Sequence, residues 1–505
     1  MQQLATSEQI LANWIVVILY MCIILFFVIR GALKVRTMAD YALGNISFSP
    51  MAVGLALAAS MTSAATFIIN PGFIALYGIS GVLSFGIVMP LAIFFSLILL
   101  TKKFRISGAN TKALTMAQWI GKTYQNDGYA LFFAFISLLL VTFIVLICVG
   151  LTQILSSALN VEPVLVLGSV IIFVFGYMMF GGANSMVYTN AIQATLMLIV
   201  ALILLASGVD QFEGGLTAFQ SRLDDIGPYF ASWVNPDSFL FRNLFEIIFC
   251  QAVIGFAIVC QPHIITKSLL LKNDKDVNKY LVIGIVVLII FFQVVIVGLF
   301  ARIHFPDLAI DGERIPMDGI VSAYVISKFP FYITVILIAG LISAGLSTLE
   351  GLIQSLSSTL TTDLINPLFS KYYDPSKRDQ QEIMINKVII VFLAIISFGL
   401  SYQQLISPNL SVGIFAQNGV YAYFSAAFVP VLFGMFIKKN PVGLKTVATA
   451  SIVAIVTHFG VYYGGFFPMM DQQVNNPAIA STMALIVSLL VGLTFHYFSI
   501  NKRHV

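Results

Sequence analysis

Runs of about twenty apolar residues recur along almost the whole 505-residue chain, and each is long enough to cross a bilayer as a helix. The mean hydropathy is +0.96, 59% of the residues are hydrophobic and 10% are charged. Little sequence is left between the runs for a soluble domain. We therefore predict an all-α polytopic membrane protein, with residues 1–505 forming a single transmembrane domain in the cell membrane.

Span length and charge predict about thirteen transmembrane helices. Their approximate ranges are 11–30, 50–78, 81–101, 129–158, 161–181, 184–207, 243–263, 280–303, 331–364, 387–405, 410–437, 441–466 and 477–499. When the spans alternate in direction, most of the 26 Lys and Arg residues fall on one side, and that side is predicted to be cytoplasmic. The exceptions are Arg222, Arg242, Arg302, Arg314 and Lys328. This places the N-terminus outside and the C-terminus inside.

Two of the predicted spans contain helix breakers at matching places. Asn70-Pro71-Gly72 lies in the second span, and Pro262 lies in the seventh. Each of these spans opens a block of five helices, 50–207 and 243–437, with one extra helix before the blocks at 11–30 and two after them at 441–499. Because five helices end on the opposite side of the membrane, the blocks are predicted to form an inverted repeat. Interrupted helices of this kind indicate a midplane binding site in a secondary transporter.

Other classes of function are not favoured by the sequence. The four cysteines lie in apolar runs without metal-ligand spacing, and the five histidines are widely scattered. The basic residues are spread over short loops rather than gathered in one patch. The chain is therefore not predicted to be an enzyme or to bind nucleic acid. Its predicted partners are the lipid bilayer and a small-molecule solute.

One span is both apolar and unusually rich in hydroxyl groups. Residues 342–363 begin Ile342-Ser343-Ala344-Gly345-Leu346-Ser347-Thr348, include Glu350 and end with Thr362-Asp363. Small and hydroxylated side chains allow close helix packing and supply oxygen atoms where hydrocarbon has none. An ionisable residue at this depth indicates a functional site.

That segment, together with Ser357-Ser358, resembles the ninth-helix signature of the sodium:solute symporter family, which includes bacterial carriers of proline, pantothenate and monocarboxylates. Further matches are Gln261-Pro262-His263-Ile264, Gly181-Gly182 before Thr189-Asn190-Ala191-Ile192-Gln193, and Pro71-Gly72. The resemblance implies a leucine-transporter-type fold with two inverted five-helix repeats. It also implies Na⁺ as the coupling ion, a monomer able to transport, and a place in the bacterial inner membrane.

The resemblance further implies a sodium site between the first and eighth core helices. By position, its ligands are the backbone carbonyls of Ala59, Thr62 and Ala344 and the hydroxyls of Ser347 and Thr348. Sodium prefers oxygen ligands, and a broken helix exposes carbonyls that an intact helix uses in its own hydrogen bonds. The alternative is that both hydroxyls bond back to carbonyls one turn earlier in their own helix.

The sequence departs from the family pattern at two positions. Relatives commonly carry Asp in the sixth helix where this chain has Asn190, whereas Glu350 stands where relatives often have a small polar residue. We hypothesise that the negative charge has moved between helices and that a second cation or proton site comprises Glu350, Asn190, Ser347 and Thr348. The alternative is a protonated Glu350 that is hydrogen-bonded within the helix bundle.

The resemblance places the solute beside the breaks in the first and sixth core helices. The polar and aromatic candidates there are Thr66, Asn70, Gln251, Gln261, Gln417, Asn418 and Tyr421. No Lys or Arg is predicted deep in a core helix, so a carboxylate would rely on backbone amides of the broken helices. The predicted function is sodium-coupled import of a small organic solute, preferably an organic acid or amino acid, by alternating access. The alternatives are a proton-coupled carrier of the same fold that uses Glu350, and a sodium symporter of the sugar or sialic acid type.

Overall fold

A computed structural model describes residues 7–45, 47–310, 312–407, 411–438, 440–465 and 475–501. Within these ranges, ten helices are long and apolar enough to cross a membrane, or up to twelve if each of two bent helix pairs is one span. The prediction of an all-α polytopic membrane protein is confirmed. The count of thirteen and the orientation of the termini stay predictions, and the predicted span ends at 410 and 466 lie outside the described residues.

The long helices are labelled here in chain order. The first seven are α1 (Ser7–Ala32), α2 (Pro50–Met61), α3 (Ala65–Tyr77), α4 (Ile79–Thr111), α5 (Asp127–Leu159), α6 (Pro163–Ala206) and α7 (Phe245–Cys260). The remaining seven are α8 (Pro262–Leu270), α9 (Asp274–His304), α10 (Phe331–Tyr372), α11 (Arg378–Ile406), α12 (Val412–Phe436), α13 (Leu444–Gly464) and α14 (Pro477–Asn501). The connections contain the short helices Met38–Leu43, Met116–Thr123, Gly215–Asp224 and Ile320–Lys328, and a hairpin of strands β1 (Ala309–Ile310) and β2 (Glu313–Arg314).

Helix α6 is divided by a kink at Gly182. A straight helix of its 44 residues would be about 66 Å long, roughly twice the hydrocarbon thickness of a bilayer. Gly182 has φ 58° and ψ −162°, a region that is open essentially to glycine alone. A Cβ atom there would also lie 2.8 Å from Tyr41. Counting the two halves of α6 as separate spans would bring the total to the predicted thirteen.

The first broken span consists of α2 and α3, which meet at an angle of 54°. The break lies at Thr62 and Ser63, where Thr62 takes up an extended conformation and the Ser63 hydroxyl accepts a hydrogen bond from the Ala65 amide at 3.0 Å. The bend therefore does not coincide with the Asn70-Pro71-Gly72 breaker that the sequence indicated. Pro71 instead lies at the start of the regular α-helical part of α3, where its missing amide hydrogen is tolerated.

The second broken span consists of α7 and α8, which meet at 65°. Gln261 separates them with φ −78° and ψ 138°, and Pro262 begins α8. A proline ring disfavours the helical conformation of the residue before it, so Pro262 explains why Gln261 is extended. The break predicted in this span is therefore where the sequence placed it.

Helix α10 lies at the centre of the molecule. It packs against α6, α5, α2 and α1, and its residues 337–361 are buried. Helices α1 and α11 instead expose large apolar side chains, including Ile18, Phe26 and Ile395, as expected for contact with lipid. The hydroxyl groups of α10 therefore face protein rather than solvent, and buried polar groups of this kind require partners.

We expect Gly182→Ala to destabilise the purified protein by about 2 kcal/mol, because alanine is strained at this φ and ψ and its Cβ would meet Tyr41. The measurement is the melting temperature of the purified protein in detergent, which we expect to be lower for Gly182→Ala than for the unmodified protein. Gly176→Ala is the matched control in the same helix, because its added Cβ meets no atom of the described residues within 4 Å. Equal melting temperatures for the two variants would contradict a conformational requirement at Gly182.

Candidate functional site

The end of helix α2 presents a backbone carbonyl to the middle of helix α10. Because α2 ends at Met61, the Ala59 carbonyl lacks the intrahelical partner that a continuing helix would supply four residues on. Ala59 and its neighbours on α10, Ala344, Ser347 and Thr348, are all fully buried. The break in the first core span therefore leaves the buried Ala59 carbonyl without a hydrogen bond from its own helix.

Four oxygen atoms meet at this point. Ser347 Oγ lies 2.9 Å from the Ala59 carbonyl oxygen and 3.2 Å from the Ala344 carbonyl oxygen. Thr348 Oγ1 lies 3.4 Å from each of the same two oxygens. The contacts with Ala344 are back-bonds within α10, whereas the contacts with Ala59 cross to another helix. The hydroxyls therefore do more than satisfy their own helix.

The proton count makes this oxygen cluster suitable for a cation. Ser347 and Thr348 supply one hydroxyl proton each, so only two of the four contacts are made by a proton at one time. Lone pairs of these buried oxygens therefore remain without a proton, and unwound backbone carbonyls are ligands by which broken membrane helices coordinate Na⁺. The residues present fit a sodium ion.

Thr62, the fifth predicted ligand, lies at the break itself. It is fully buried, and its hydroxyl donates to the Ala58 carbonyl at 2.6 Å. Its backbone, at φ −113° and ψ 113°, has left the helical conformation. The structure thus brings together four of the five predicted ligands, those of Ala59, Ala344, Ser347 and Thr348. That the Thr62 carbonyl also binds sodium stays a prediction.

Glu350 lies one turn along α10 from Ser347 and is buried within a cluster of polar groups from α6. Tyr177 Oη donates to its carboxylate at 2.7 Å, Thr189 Oγ1 lies 2.5 Å away, and Gln193 Nε2 donates at 3.1 Å. Hydrogen bonds of this number offset much of the cost of burying a carboxylate. The sequence indicated Glu350 but not these partners.

The four residues predicted as a second cation or proton site are not gathered around one point by their contacts. Asn190 Nδ2 donates to Ser60 Oγ at 3.2 Å instead of reaching Glu350. Its neighbour Thr189 reaches Glu350 because adjacent residues of a helix diverge by about 100°. The spacing of Thr189 and Gln193, four residues apart, places both on one face of α6, but it does not identify Glu350 as the residue that this face meets.

A cavity lies beside both breaks. It is lined by five of the seven predicted solute-binding residues, Thr66, Asn70, Gln261, Gln417 and Tyr421. Much of the remaining wall is apolar, with Phe85, Phe143 and Phe292 contributing aromatic rings. Apolar walls with a few polar groups are typical of a site for a small organic ligand.

Two predicted solute-binding residues do not line this cavity. Asn418 donates from Nδ2 to Tyr463 Oη at 2.9 Å, and its Oδ1 lies 2.8 Å from His458 Nε2, so its side chain contacts α13. It follows Gln417 by one residue, and the turn of the helix directs it to a different neighbour. Gln251 lies ten residues before Gln261, near the start of α7, and is buried away from the cavity.

Ser60 joins the cavity to the oxygen cluster, and the sequence did not single it out. It lines the cavity, and its hydroxyl lies 3.5 Å from the Ser347 carbonyl oxygen. It also follows Ala59, whose carbonyl belongs to the cluster. A change in the distance between α2 and α10 at this point therefore also moves the wall of the cavity.

Comparison with known proteins gives consistent results. The model of the sodium:solute symporter family matches residues 41–443. The chain is 26% identical to the sodium/pantothenate symporter of Escherichia coli (strain K12) over 474 residues, covering 90% of each protein. It is also 26% identical to the sodium/pantothenate symporter of Haemophilus influenzae, covering 81% of this chain and 83% of that protein. The osmoregulated proline transporter OpuE of Bacillus subtilis is 24% identical, with 80% of each covered.

The fold is shared with a solved transporter. A Na⁺-coupled sialic acid symporter, solved in a substrate-bound outward-open state, superimposes with a TM-score of 0.77 at 17% identity, covering 96% of this chain and 97% of that one. At this identity the likeness concerns the fold. It confirms the predicted leucine-transporter-type architecture.

We expect Thr189→Val to destabilise the protein by about 1.5–3 kcal/mol, because the buried Glu350 carboxylate loses one partner. The measurement is thermal unfolding in detergent. Thr195→Val is the matched control on the same helix, since the Thr195 hydroxyl is exposed and bonds back to Ala191 at 2.9 Å. A loss at Thr189 no larger than the loss at Thr195 would contradict a contribution of this contact to stability.

Proposed function

The chain belongs to the sodium:solute symporter family and couples transport to Na⁺, and we propose that it imports a small organic acid or amino acid by alternating access. On this proposal it is a carrier rather than an enzyme, it is able to transport as a monomer, and it resides in the bacterial inner membrane. The observation that carries the proposal is the meeting of four buried oxygens of α2 and α10 at a helix break.

In this proposal, the binding of sodium between α2 and α10 is linked to the binding of the solute in the cavity. An ion held by Ala59, Ser347 and Thr348 fixes the end of α2 against α10. That contact also fixes Ser60 in the cavity wall, which favours the state in which the solute binds. An ion shifts such an equilibrium only by its difference in affinity for the two states, so loss of a ligand reduces coupling before it affects folding.

The preference for a carboxylate solute is supported by the cavity and by the relatives. Pantothenate, proline and sialic acid, which the relatives are named for, all contain a carboxyl group. Among the described residues, the cavity is lined by no Lys, Arg, Asp or Glu. A carboxylate there would be held by hydroxyls and by the N-terminal end of α3, where backbone amides and the helix dipole favour an anion. A sodium symporter of the sugar or sialic acid type is the alternative.

Glu350 is proposed to act as a fixed negative charge near the sodium ligands. Its two carboxylate oxygens accept from Tyr177, Thr189 and Gln193, which supports the ionised form. The Thr189 hydroxyl also lies 3.1 Å from the Met186 carbonyl oxygen, so a protonated Glu350 that donates to Thr189 would be satisfied as well. A protonated Glu350 corresponds to the alternative of a proton-coupled carrier. A further alternative is that Glu350 binds a second cation.

Uptake by proteoliposomes tests the proposal. A panel of radiolabelled amino acids, small organic acids, sugars and sialic acid is offered with an inward sodium gradient, with a proton gradient, and with neither. We expect sodium-driven uptake of a small organic acid or an amino acid. Uptake of a sugar or of sialic acid, or uptake driven by protons alone, would replace the proposal with the corresponding alternative.

With the solute from that panel, we expect Ser347→Ala to raise the sodium concentration for half-maximal uptake about tenfold or more, because the ion loses one oxygen ligand. Thr359→Val is the matched control, a buried threonine of the same helix whose hydroxyl bonds back to Ser355 at 2.8 Å. Sodium dependence that stays intact in Ser347→Ala would show that the sodium site has been assigned wrongly.

The role of Glu350 is tested by Glu350→Gln, which removes the charge and keeps the shape. We expect a higher half-maximal sodium concentration and an unchanged Hill coefficient for sodium, because a charge that attracts the ion is lost while the number of ions stays the same. A lower Hill coefficient would indicate a second cation at Glu350, and lost proton-driven uptake would indicate a proton site. Unchanged sodium and pH dependence would exclude a coupling role.

A further inference from the structure

Two helices each present a pair of polar side chains to the cavity beside the two helix breaks. Thr66 and Asn70 lie four residues apart on α3, and Gln417 and Tyr421 lie four residues apart on α12. Residues at this spacing lie on one side of a helix, and all four line the cavity. Each helix therefore contributes one side-chain amide and one hydroxyl group to the wall.

The two pairs lie on helices that touch. Gly413 precedes Gln417 by four residues on α12, and Ile69 directly precedes Asn70 on α3. A Cβ atom added at Gly413 would lie 2.9 Å from the Ile69 side chain, so the two helices are in direct contact at this point. Gly413 and Ile69 also line the cavity. The four polar groups therefore belong to one continuous part of the wall.

These four side chains are not used to hold the helices together. Among the described residues, none of the four makes a side-chain hydrogen bond, and none has an unpaired polar atom that is shut off from open space. Their polar atoms therefore border the cavity. The next residue of α12 shows the contrast, because Asn418 donates to Tyr463 Oη at 2.9 Å and lies 2.8 Å from His458 Nε2. Unpaired polar groups in a protein interior are costly until a ligand or water completes their hydrogen bonds.

The rest of the lining is largely apolar, with the rings of Phe85, Phe143 and Phe292 contributed by α4, α5 and α9. Among the described residues, no Asp or Glu lines the cavity, so the ammonium group of an amino acid would meet no carboxylate there. A buried charge without a counter-charge is costly. An uncharged hydroxyl or amide needs only hydrogen bonds, and the polar part of the wall offers both donors and acceptors for them.

We propose that the solute is a carboxylate that also carries uncharged hydroxyl or amide groups and has an apolar side, rather than an amino acid. The proposal rests on the proposed function, because it assumes a carboxylate solute. The uncharged polar groups bind the side chains of Thr66, Asn70, Gln417 and Tyr421, and the apolar side packs against the phenylalanine rings. An acid with an entirely apolar body would leave the four polar side chains unpaired.

Three probes of equal length test the proposal, because they share a carboxylate and differ only at the far end. The far end is a hydroxyl group in γ-hydroxybutyrate, a methyl group in valerate and an ammonium group in γ-aminobutyrate. The full-length carrier in detergent is titrated with each probe at constant sodium, pH and ionic strength, and its thermal stabilisation is recorded. We expect γ-hydroxybutyrate to half-saturate at a concentration about tenfold or more below that of either other probe, because only its far end is both uncharged and able to hydrogen-bond.

A double variant removes one hydroxyl group from each helix. Thr66→Val combined with Tyr421→Phe should reduce the preference for γ-hydroxybutyrate over valerate about threefold or more, because the ligand hydroxyl loses partners in the wall. The variant is expected to fold, since the hydroxyls that it removes make no hydrogen bond among the described residues. Tyr423→Phe is the matched control and should leave the preference unchanged, because Tyr423 is a buried tyrosine of α12 that does not line the cavity.

The outcomes separate this proposal from the proposed function. Equal half-saturation by γ-hydroxybutyrate and valerate would overturn the proposal, and so would the absence of stabilisation by γ-hydroxybutyrate. Tighter binding of γ-aminobutyrate would overturn it in favour of an amino acid. A preference that the double variant keeps in full would also overturn it, because the hydroxyl would then bind elsewhere. The measurement uses neither uptake nor a sodium gradient. Failure here therefore leaves sodium-driven uptake standing, and failure of uptake leaves the measured preference standing.

Discussion

The contact on which the proposed mechanism depends joins the Ala59 carbonyl to the Ser347 and Thr348 hydroxyls of α10. The carbonyl has no hydrogen-bond partner within its own helix, because α2 ends at Met61. The break at Thr62 and Ser63 frees the Ala59 carbonyl, and Ser347 meets it at 2.9 Å. A buried carbonyl without a partner is costly, whereas the two hydroxyls can also bond back to a carbonyl of their own helix. Together these groups form a cluster of oxygens with fewer protons than contacts, and the proposed sodium ion would bind the remaining lone pairs. The same break in the helix thus provides the carbonyl of the proposed ion site and the point at which the helix bends.

The polar groups around this contact form layers along α10. Ser347 and Thr348 face α2, and Glu350, one turn on, faces Tyr177, Thr189 and Gln193 of α6. Beyond it, Gly351 and Gln354 lie near the buried Lys267 of α8. One buried helix therefore carries the proposed sodium ligands and, one turn further on, a hydrogen-bonded carboxylate. Ser347 and Glu350 thus bond to two different neighbouring helices, α2 and α6.

The sequence predicted those features that depend on local chemistry. Apolar length identified the membrane spans and Pro262 identified the second break, whereas Ser347 and Thr348 were indicated by the resemblance to a symporter family. It located the first bend less well, because a hydroxyl cap at Ser63 rather than Pro71 sets that bend. The partners of Glu350, the direction of Asn418 and the burial of Lys267 depend on how distant helices pack, and no local pattern encodes that packing.

Hydrogen exchange at the first break tests most directly whether sodium ties α2 to α10. Exchange of the backbone amides of residues 58–66 is compared in sodium and in potassium at equal ionic strength, for the unmodified protein and for Ser347→Ala. An ion bound by Ala59, Ser347 and Thr348 predicts slower exchange of these amides in sodium, and loss of that difference in the variant. Equal exchange in the two salts for the unmodified protein would contradict a sodium site at this break.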